Sequence, residues 1–154
     1  MKKFLTLLAL TFFLQTNAQI ITTVAGDGTS AYGGDGGFAT AAQLNSANGV
    51  TIDASGNIYI ADNLNNRIRR VGSDGSITTM VGDGTGAFNG DGSLANITEI
   101  YGPADITINP SGYIYIADYF NARVRRINSD GSVSTFAGNG TSGFSGDGGY
   151  PYNA

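Results

Sequence analysis

Side chains able to carry out acid–base or metal chemistry are few in this sequence of 154 residues. It contains no His and no Cys, and its only lysines are Lys2 and Lys3. This composition excludes Ser–His–Asp and Cys–His nucleophile arrangements, histidine-ligated zinc and, beyond residue 3, a lysine Schiff base. Glu99 is the single glutamate, and Gln43 stands at the matching place earlier in the chain, so no carboxylate pair recurs for general acid–base catalysis. We therefore predict no catalytic residues and no cofactor in this chain.

Aspartates in glycine-rich stretches are the remaining candidates for a metal site: Asp27, Asp35, Asp83, Asp91 and Asp147. Calcium needs about six to eight oxygen ligands, supplied by closely spaced acids and backbone carbonyls. Asp27 and Asp35 are eight residues apart, a spacing that matches neither the EF-hand loop nor the nonapeptide β-roll repeat. An Asp beside Gly more simply caps a turn, while Gly supplies a positive φ. We favour the turn role and predict no metal site.

A short polar segment differs most informatively between two otherwise similar parts of the chain. Asn63-Leu64-Asn65-Asn66 becomes Tyr119-Phe120-Asn121-Ala122, while the flanking residues are retained. Aromatic side chains offer a large contact area with few rotors to freeze, so they can stack on a sugar ring or anchor a protein partner. The alternative is that both aromatics pack on the linker of a neighbouring unit. We predict a binding surface made of Asn63, Leu64, Asn65, Tyr119, Phe120 and Asn121.

Charged residues flank this segment in both copies. Asp62 precedes it and Arg67 follows it, and Asp118 and Arg123 repeat the arrangement. We predict that the two pairs, Asp62–Arg67 and Asp118–Arg123, clamp the ends of the loop through a charge-assisted hydrogen bond. Their role would be structural, and the remaining arginines would include one solvated and one paired member in each copy.

The elements that position these side chains repeat every 56 residues. Ile21 to Gly28 reads ITTVAGDG, and related segments begin at Ile77 and Val133; Ile58 to Val71 reads IYIADNLNNRIRRV and recurs at Ile114. A fixed period in this range indicates a supersecondary unit stacked on its own copies. We divide residues 19–154 into a first unit (21–76), a second unit (77–132) and the start of a third (133–154). That is about 2.4 units, fewer than such arrays usually need.

Each unit contains four short strand candidates, at Gly49–Asp53, Ile58–Ala61, Arg67–Val71 and Ile77–Val81 in the first copy. They are rich in β-branched and aromatic residues and separated by turn residues, and no helical period lies between them. Tandem four-stranded meanders are the blades of a β-propeller. The fold prediction is therefore all-β: about two blades, preceded by an outer strand at Ile20–Gly26 that would complete the last blade of a closed ring.

Strand parity places the long glycine-rich linker and the Asn63–Asn66 segment on one face, and the two tight turns on the other. Long loops on a rigid scaffold are where binding residues concentrate. Apolar residues recur in the linkers at the same phase, and we expect them to anchor the linkers in the core: Tyr32, Phe88, Phe144, Phe38, Leu94 and Tyr150.

The strand pattern resembles the NHL repeat. Gly49 to Val71 reads GVTIDASGNIYIADNLNNRIRRV, and the pattern returns from Asp105 to Ile127 with Asp in place of the first Gly. The linker GGDGGFATAAQL at residues 33–44 resembles that of bacterial NHL proteins and teneurin-type NHL domains. The resemblance covers residues 21–150 and implies a propeller of six or a similar number of blades that serves as a binding or scaffolding platform. Some six-bladed propellers of similar architecture are lyases or lactonases with a channel metal, which leaves a fragment of such an enzyme as the alternative function.

Residues 1–18 have the pattern of a secretory signal peptide, with Lys2 and Lys3, an apolar core at Phe4–Leu14 and small residues at Thr16–Ala18. The apolar run is too short to span a bilayer, so we expect no membrane insertion once the signal is removed. The expected location is secreted: extracellular, periplasmic or at the cell surface. With the two lysines removed, six arginines face twelve acids, a net charge of −6 that argues against nucleic acid as a partner.

We accordingly expect a secreted, non-catalytic platform that binds a protein or carbohydrate ligand on the long-loop face. A six-bladed ring at this period would need about 336 residues. Further blades would therefore come from the same gene or from self-association. The third linker is interrupted at Ala154, which favours a fragment of a longer product over a three-chain ring.

Overall fold

The computed structural model describes residues 20–154, so the signal-peptide prediction for residues 1–18 lies outside it. The described chain forms two antiparallel sheets of four strands, each ordered along the chain. Blade one contains β1 (Ala47–Ile52), β2 (Ile58–Asp62), β3 (Arg67–Val71) and β4 (Ile77–Val81). Blade two contains β5 (Pro103–Ile108), β6 (Ile114–Asp118), β7 (Arg123–Ile127) and β8 (Val133–Ala137). The prediction of two four-stranded blades in an all-β chain is confirmed.

Turn chemistry explains where the strands end. Asp53 Oδ1 accepts hydrogen bonds from the backbone N–H groups of Ser55 (2.9 Å) and Asn57 (2.8 Å), which closes the β1–β2 turn. Asp74 Oδ1 accepts from Ser76 N at 3.0 Å, and Gly75 follows with φ of 79°, which closes the β3–β4 turn. An Asp that bonds its own backbone two residues on, with Gly at the positive φ, is the expected hairpin chemistry. Strands β3 and β4 have the predicted bounds, whereas β1 begins earlier because its register shifts between Ala47 and Val50.

The predicted outer strand at residues 20–26 is not formed. This segment has no strand structure, and the side chains of Ile20 and Ile21 are exposed. Backbone N–H and C=O groups need a neighbouring strand to pair as a sheet, and β1–β4 and β5–β8 are already complete four-stranded sheets. Residues 20–26 therefore form no strand beside these two sheets, and their pairing with the last blade of a closed ring stays a prediction.

Three glycine-rich linkers share one conformation: linker one (26–46), linker two (82–102) and linker three (138–154). Each begins with a backbone bond that spans the loop, donated by Gly26 to Ala39 O (2.9 Å), by Gly82 to Ala95 O (3.0 Å) and by Gly138 to Pro151 O (3.0 Å). Each also contains a short 3-10 turn, at Ala39–Ala41, Ala95–Ile97 and Pro151–Asn153. The linkers are thus compact loops held by their own hydrogen bonds.

Linkers one and two cover the outer edge of the blade that follows them. Gly36 N donates to Ile77 O at 2.8 Å and Ile77 N donates to Gly37 O at 3.0 Å, so linker one caps strand β4. Gly92 and Ser93 make the same two bonds to Val133 at the edge of β8. A covered edge is protected from pairing with other chains.

The linker residues that enter the core are not the predicted ones. Ala39 and Ala42 are buried against Ile60, Val71 and Ile77, whereas Phe38 is 74% exposed. Leu94 and Tyr150, at the same phase as Phe38, are also exposed, so the prediction that these three anchor the core is wrong. The buried positions are occupied by small alanines, and linker one also folds tightly on itself, since a Cβ on Gly34 would lie 2.6 Å from the Cα of Ala42.

A continuous apolar layer joins the two blades. Tyr59, Ala61 and Ile68 of blade one pack with Ile106 and Ile116 of blade two, and buried Ile100 of linker two completes the cluster. The innermost strands β1 and β5 lie side by side, as expected for blades arranged around a common axis. No helix within residues 20–154 is long and apolar enough to span a membrane.

Candidate binding surface

The predicted binding segment is a single 3-10 turn that joins the second and third strands of each blade. In blade one it spans Asn63–Asn65 and ends at Asn66, with φ of 51°; in blade two it spans Tyr119–Asn121 and ends at Ala122, with φ of 47°. Asparagine tolerates this left-handed conformation better than most residues do. Asn65 Nδ2 donates to Ala31 O of linker one at 2.8 Å, which places loop and linker on the same face, as parity predicts.

Two of the six predicted binding residues have structural roles. Asn65 is buried, and its Nδ2 donates to both carboxylate oxygens of Asp62 at 2.9 Å. Asn121 repeats this arrangement, donating to Asp118 Oδ2 (2.9 Å) and to Ala87 O (2.9 Å). Both amides are engaged in fastening the turn to its linker, so they lie beneath the surface that a ligand would contact.

Asn63 fastens blade one to the next unit. Its Nδ2 donates to Pro103 O at 3.0 Å, and the neighbouring Asn66 accepts from Gly102 N at 3.0 Å and donates to Gly84 O at 3.2 Å. The equivalent residues of blade two are Tyr119 and Ala122, which have no side-chain amide to make such bonds. The replacement therefore changes both the loop tip and the seam between units.

Blade two carries a cluster of three aromatic side chains on this face, here named the aromatic cluster: Tyr101, Tyr119 and Phe120. The Phe120 ring lies 4.8 Å from Tyr101 and 5.0 Å from Tyr119, measured between ring centroids, in tilted and edge-to-face arrangements. Tyr119 is 66% exposed and Phe120 57% exposed. Such pairs stabilise one another by about 0.5–1.5 kcal/mol, so the cluster is held in place while much of its area faces solvent.

Gly102 makes room for this cluster. Its φ is 58°, and a Cβ at this position would collide with the ring of Phe120. In linker one the same place is taken by Ser46, also at φ of 58°, opposite the smaller Leu64. The change from Leu64 to Phe120 in the loop is thus accompanied by a change from Ser46 to Gly102 in the linker.

Tyr101 was missed by sequence reasoning, although the sequence contained a signal. The pair Asn45-Ser46 of linker one becomes Tyr101-Gly102 in linker two, in step with the change from Leu64 to Phe120. The backbone explains their proximity, because Phe120 N donates to Tyr101 O at 3.1 Å and Tyr101 N donates to Asp118 Oδ1 at 2.7 Å. The alternative prediction placed both aromatics on the linker of a neighbouring unit, whereas Phe120 packs on Tyr101 and Gly102 in the linker of its own blade.

The predicted ion pairs are shifted by two residues. Asp62 and Arg67 are register partners on β2 and β3, but the carboxylate of Asp62 pairs with Arg69, with Nη1 3.2 Å from Oδ2. In blade two Asp118 likewise pairs with Arg125, at 3.4 Å. The predicted pairs Asp62–Arg67 and Asp118–Arg123 are therefore wrong, because the carboxylate contacts the diagonal neighbour on the same sheet face.

Arg69 lies fully buried between its sheet and linker one. Its guanidinium also forms an ion pair with Asp35 (2.5 Å) and donates to the carbonyls of Gly33 (3.1 Å) and Gln43 (3.2 Å). Arg125 repeats the site with Asp91 (3.1 Å) and Gly90 O (3.0 Å). A buried guanidinium is tolerated only where carboxylates and carbonyls replace its hydration, and both linkers supply such groups.

An aromatic ring completes each arginine site. Tyr32 of linker one lies under the guanidinium of Arg67, with Cζ 3.7 Å from the ring centroid, and 5.0 Å from that of Arg69. Phe88 of linker two takes the same place for Arg123 (3.9 Å) and Arg125 (4.8 Å). These distances are those of cation–π contacts. Tyr32 and Phe88 thus hold the linkers to the blades through arginine.

Asp35 and Asp91 have a different role from the predicted turn caps. Thr79 N donates to Asp35 at 3.0 Å and Thr135 N donates to Asp91 at 2.8 Å, so both carboxylates join the buried arginine to the edge strand. Asp27 and Asp83 do cap turns, through bonds of 2.7 Å from Thr29 N and Thr85 N. Within residues 20–154, no three side chains of the types that hold metals come together.

The acidic partners of the two arginines differ in pKa. Burial raises the pKa of Asp118, against the hydrogen bonds from Asn121 and Tyr101 N and the positive charge of Arg125. Partial burial works in the same direction on Asp35, but hydrogen bonds from Thr79 and Arg69, the charge of Arg69 and the Tyr32 hydroxyl hold its pKa below the ordinary value. The lowered pKa means that the surroundings of Asp35 in the linker favour its ionised form.

Solved structures share this architecture. The chain superposes on an auxiliary nutrient binding protein from Bacteroides ovatus with a TM-score of 0.51 and 22% identity, covering 69% of this chain and 26% of that one. A protein from Bacteroides thetaiotaomicron gives a TM-score of 0.55 and 20% identity, covering 73% of this chain and 26% of that one. Similarity at this level of identity concerns the fold, which is that of propeller proteins.

Sequence comparison is more specific. Chicken (Gallus gallus) Teneurin-1 is 34% identical over 134 residues, which cover 79% of this chain and 5% of the relative. Human Teneurin-4 is 37% identical over 112 residues, covering 68% of this chain and 4% of the relative. The chain therefore spans about a twentieth of the length of the teneurins it matches. The model of the teneurin NHL domain matches residues 13–89, half of the chain, and the chain belongs to this NHL-domain family.

Proposed function

We propose that this chain is a non-catalytic binding platform that acts outside the cell and contacts a protein or carbohydrate partner through the aromatic cluster. The observation that carries the proposal is the cluster itself: three touching rings, partly exposed, on the face where the long loops lie. Aromatic side chains dominate contact energies because they bury a large area with few rotors to freeze.

The contrast between the two blades supports a role in binding. At the equivalent places blade one carries Asn45, Asn63 and Leu64, although the strands, the buried arginines and the linker conformations are the same in both units. A fold that forms with either set does not require three aromatics at this place. Their presence in one unit only is therefore better explained by an external contact than by the needs of the scaffold.

An extracellular location fits the N-terminal pattern of Lys2, Lys3 and the apolar core at Phe4–Leu14, together with membership in the teneurin NHL family. Few basic side chains lie outside the arginine sites, which supports a neutral or apolar partner surface and argues against a partner rich in phosphate groups. Arg69 and Arg125 are buried, and Arg67 and Arg123 lie on linker rings. These arginines are thus committed to the scaffold.

A double substitution tests the proposal. Tyr119→Ala with Phe120→Ala should lower affinity at least tenfold, for soluble oligosaccharides in an NMR titration or for extracellular protein captured on the immobilised chain, while the unfolding midpoint changes by less than about 3 °C. The carbohydrate and protein arms of the experiment identify the class of partner.

Matched controls come from the chain itself. Leu64→Ala changes the equivalent loop tip of blade one, and Tyr150→Ala with Tyr152→Ala removes another exposed pair of stacked rings, 5.4 Å apart. Both controls should bind like the unchanged chain. Equal losses in these controls would show non-specific adhesion to aromatic rings and would contradict the proposal.

A further inference from the structure

Asparagine followed directly by glycine occurs three times in this chain, at Asn48-Gly49, Asn89-Gly90 and Asn139-Gly140. In such a pair the backbone nitrogen of the glycine can attack the side-chain amide carbon of the asparagine, because glycine has no Cβ to obstruct the approach. The structure places the three asparagines in different surroundings. We propose that Asn48 is a site of spontaneous deamidation and that its conversion to isoaspartate loosens the contact between the two blades.

The reaction needs only the chain itself and water. The nitrogen of Gly49 forms a bond to Cγ of Asn48, the bond from Cγ to Nδ2 breaks, and ammonia leaves with the proton that the Gly49 nitrogen loses. The product is a cyclic succinimide. Water then adds to one of its two carbonyl carbons and opens the ring. Opening at Cγ gives aspartate, whereas opening at the backbone carbonyl carbon gives isoaspartate, in which the chain continues through the side chain.

Asn48 has the freedom that ring closure requires. Its side chain is exposed, and Ser46 Oγ donates to its Oδ1 at 3.5 Å, a distance at which a hydrogen bond is weak. Strand β1 pairs with β2 at Ala47 and again at Val50, so Asn48 and Gly49 lie in the register shift between those pairs. Two residues of a bulge oppose one on the partner strand, so the local ladder is already interrupted at the reacting atoms.

The other two asparagines are held by their own amide groups. Asn89 Nδ2 donates to Ile97 O at 2.9 Å, and its Oδ1 accepts from Glu99 N at 3.1 Å, so both ends of the amide are engaged. Asn139 Oδ1 accepts from Thr141 N at 2.8 Å within a turn. Ring closure at either residue requires these bonds to open first, which lowers the reactive population. The fold therefore favours the pair in β1.

The residue that follows Asn48 lies where the two blades approach each other closely. A Cβ on Gly49 would lie 2.5 Å from the Cα of Asp105 and 3.1 Å from Ala104 O, so little space separates the backbones of β1 and β5 here. Isoaspartate lengthens the backbone by a methylene group and adds a negative charge immediately before this contact. The modified chain must therefore move Gly49 away from blade two. Blade two has Ala104-Asp105 at the equivalent place and so has no Asn-Gly pair there.

Timed incubation of the purified chain tests the site. Peptide mapping by mass spectrometry, with electron-transfer fragmentation to distinguish isoaspartate from aspartate, measures conversion at each pair. In the folded chain Asn48 should convert at least about fivefold faster than Asn89 or Asn139. The rate at Asn48 should rise with pH, because the attacking nitrogen must lose its proton.

Urea supplies the control for the fold. The three rates should converge in the unfolded chain, because each pair then has the same freedom to close the ring. If Asn89 or Asn139 converts as fast as Asn48 in the folded chain, the assignment is overturned. A preference for Asn48 that persists in urea would contradict it as well, because the flanking residues and not the fold would then be its cause.

Variants of Asn48 test the effect on the blades. The incubated native chain should unfold about 3–6 °C below the fresh chain, whereas Asn48→Gln incubated in parallel should keep its midpoint, because its longer side chain closes a ring far more slowly. Fresh Asn48→Asp adds the charge without lengthening the backbone and should stay within about 1 °C of the native chain. An unchanged midpoint of the modified native chain would overturn the effect on the blades, as would an equal loss in the incubated Asn48→Gln chain.

Discussion

At the scale of single residues, the buried arginines organise this domain. Arg69 and Arg125 have no exposed side-chain surface, and each joins the end of the second strand to a residue of the covering linker. Removing one partner of a buried ion pair leaves the other charge without compensation, which costs about 3–5 kcal/mol in well-buried cases. The linker aspartates are partly exposed, which reduces that cost, but they are the groups that couple loop and sheet.

Asp35 gives the site a pH dependence that can be measured. Since its pKa is lower in the folded chain than in the unfolded chain, its stabilising contribution is present above the unfolded pKa, and it is lost as the pH falls through the folded pKa. We expect the stability difference between the native chain and Asp35→Asn to be largest near pH 7 and to shrink as the pH falls below about 4. Urea unfolding of both chains at several pH values measures this difference. A difference that stays constant down to pH 2 would contradict the assignment.

At the scale of elements, the short loop between the second and third strands has a different role in each blade. In blade one Asn66 bonds linker two and Asn63 donates to Pro103 O at the start of β5, and in blade two Tyr119 and Phe120 form part of the aromatic cluster. The same 3-10 turn serves both, because Asn65 and Asn121 fix it to the preceding carboxylate in each case.

Replacement of Asn66 by Ala tests the bonding function. Asn66 links blade one to Gly84 and Gly102 of linker two, and its left-handed φ suits Asn better than Ala, so the substitution should cost about 1–3 kcal/mol. Ala122→Asn is the matched change in blade two and should improve stability slightly or leave it unchanged. Both are measured by chemical denaturation. A neutral Asn66→Ala variant would show that the hydrogen bonds of Asn66 contribute little to the stability of the seam.

The sequence predicted the strands well and the pairing of side chains less well. The period, the β-branched runs and the Asp-Gly turn locate β3 and β4 with correct bounds, because these are local signals. The Asp62–Arg69 pair and the Tyr101–Phe120 contact are non-local. The first depends on which diagonal neighbour the carboxylate contacts, and the second on a backbone bond between linker and loop. The prediction that the large Phe38 anchors linker one is wrong, because the small Ala39 and Ala42 are the buried linker residues and side-chain hydrophobicity alone does not single them out.

At the scale of the whole molecule, the two blades are expected to unfold together. The cluster around Ile100 contains residues of both sheets, including Ile68 and Val81 of blade one and Ile106 and Ile116 of blade two. In repeat arrays, stability is shared between intrinsic terms of each repeat and the interfaces between neighbours. Because the interface is continuous, we expect the two described blades to unfold in one cooperative transition. Each linker is also held by its own hydrogen bonds.

Ile100→Ala is the substitution that tests this coupling. Ile100 is fully buried between the blades, so the cavity left by truncation should lower the free energy of unfolding by about 2–5 kcal/mol. The free energy of opening measured by hydrogen exchange in β2, β3 and β6 should fall by the same amount. Leu44 stands at the same position of linker one, where it packs partly buried against the outer face of blade one. Leu44→Ala should therefore cost less and affect blade one first. If Ile100→Ala lowers protection in blade two only, the interface transmits little stability and the two blades are independent units joined by a linker.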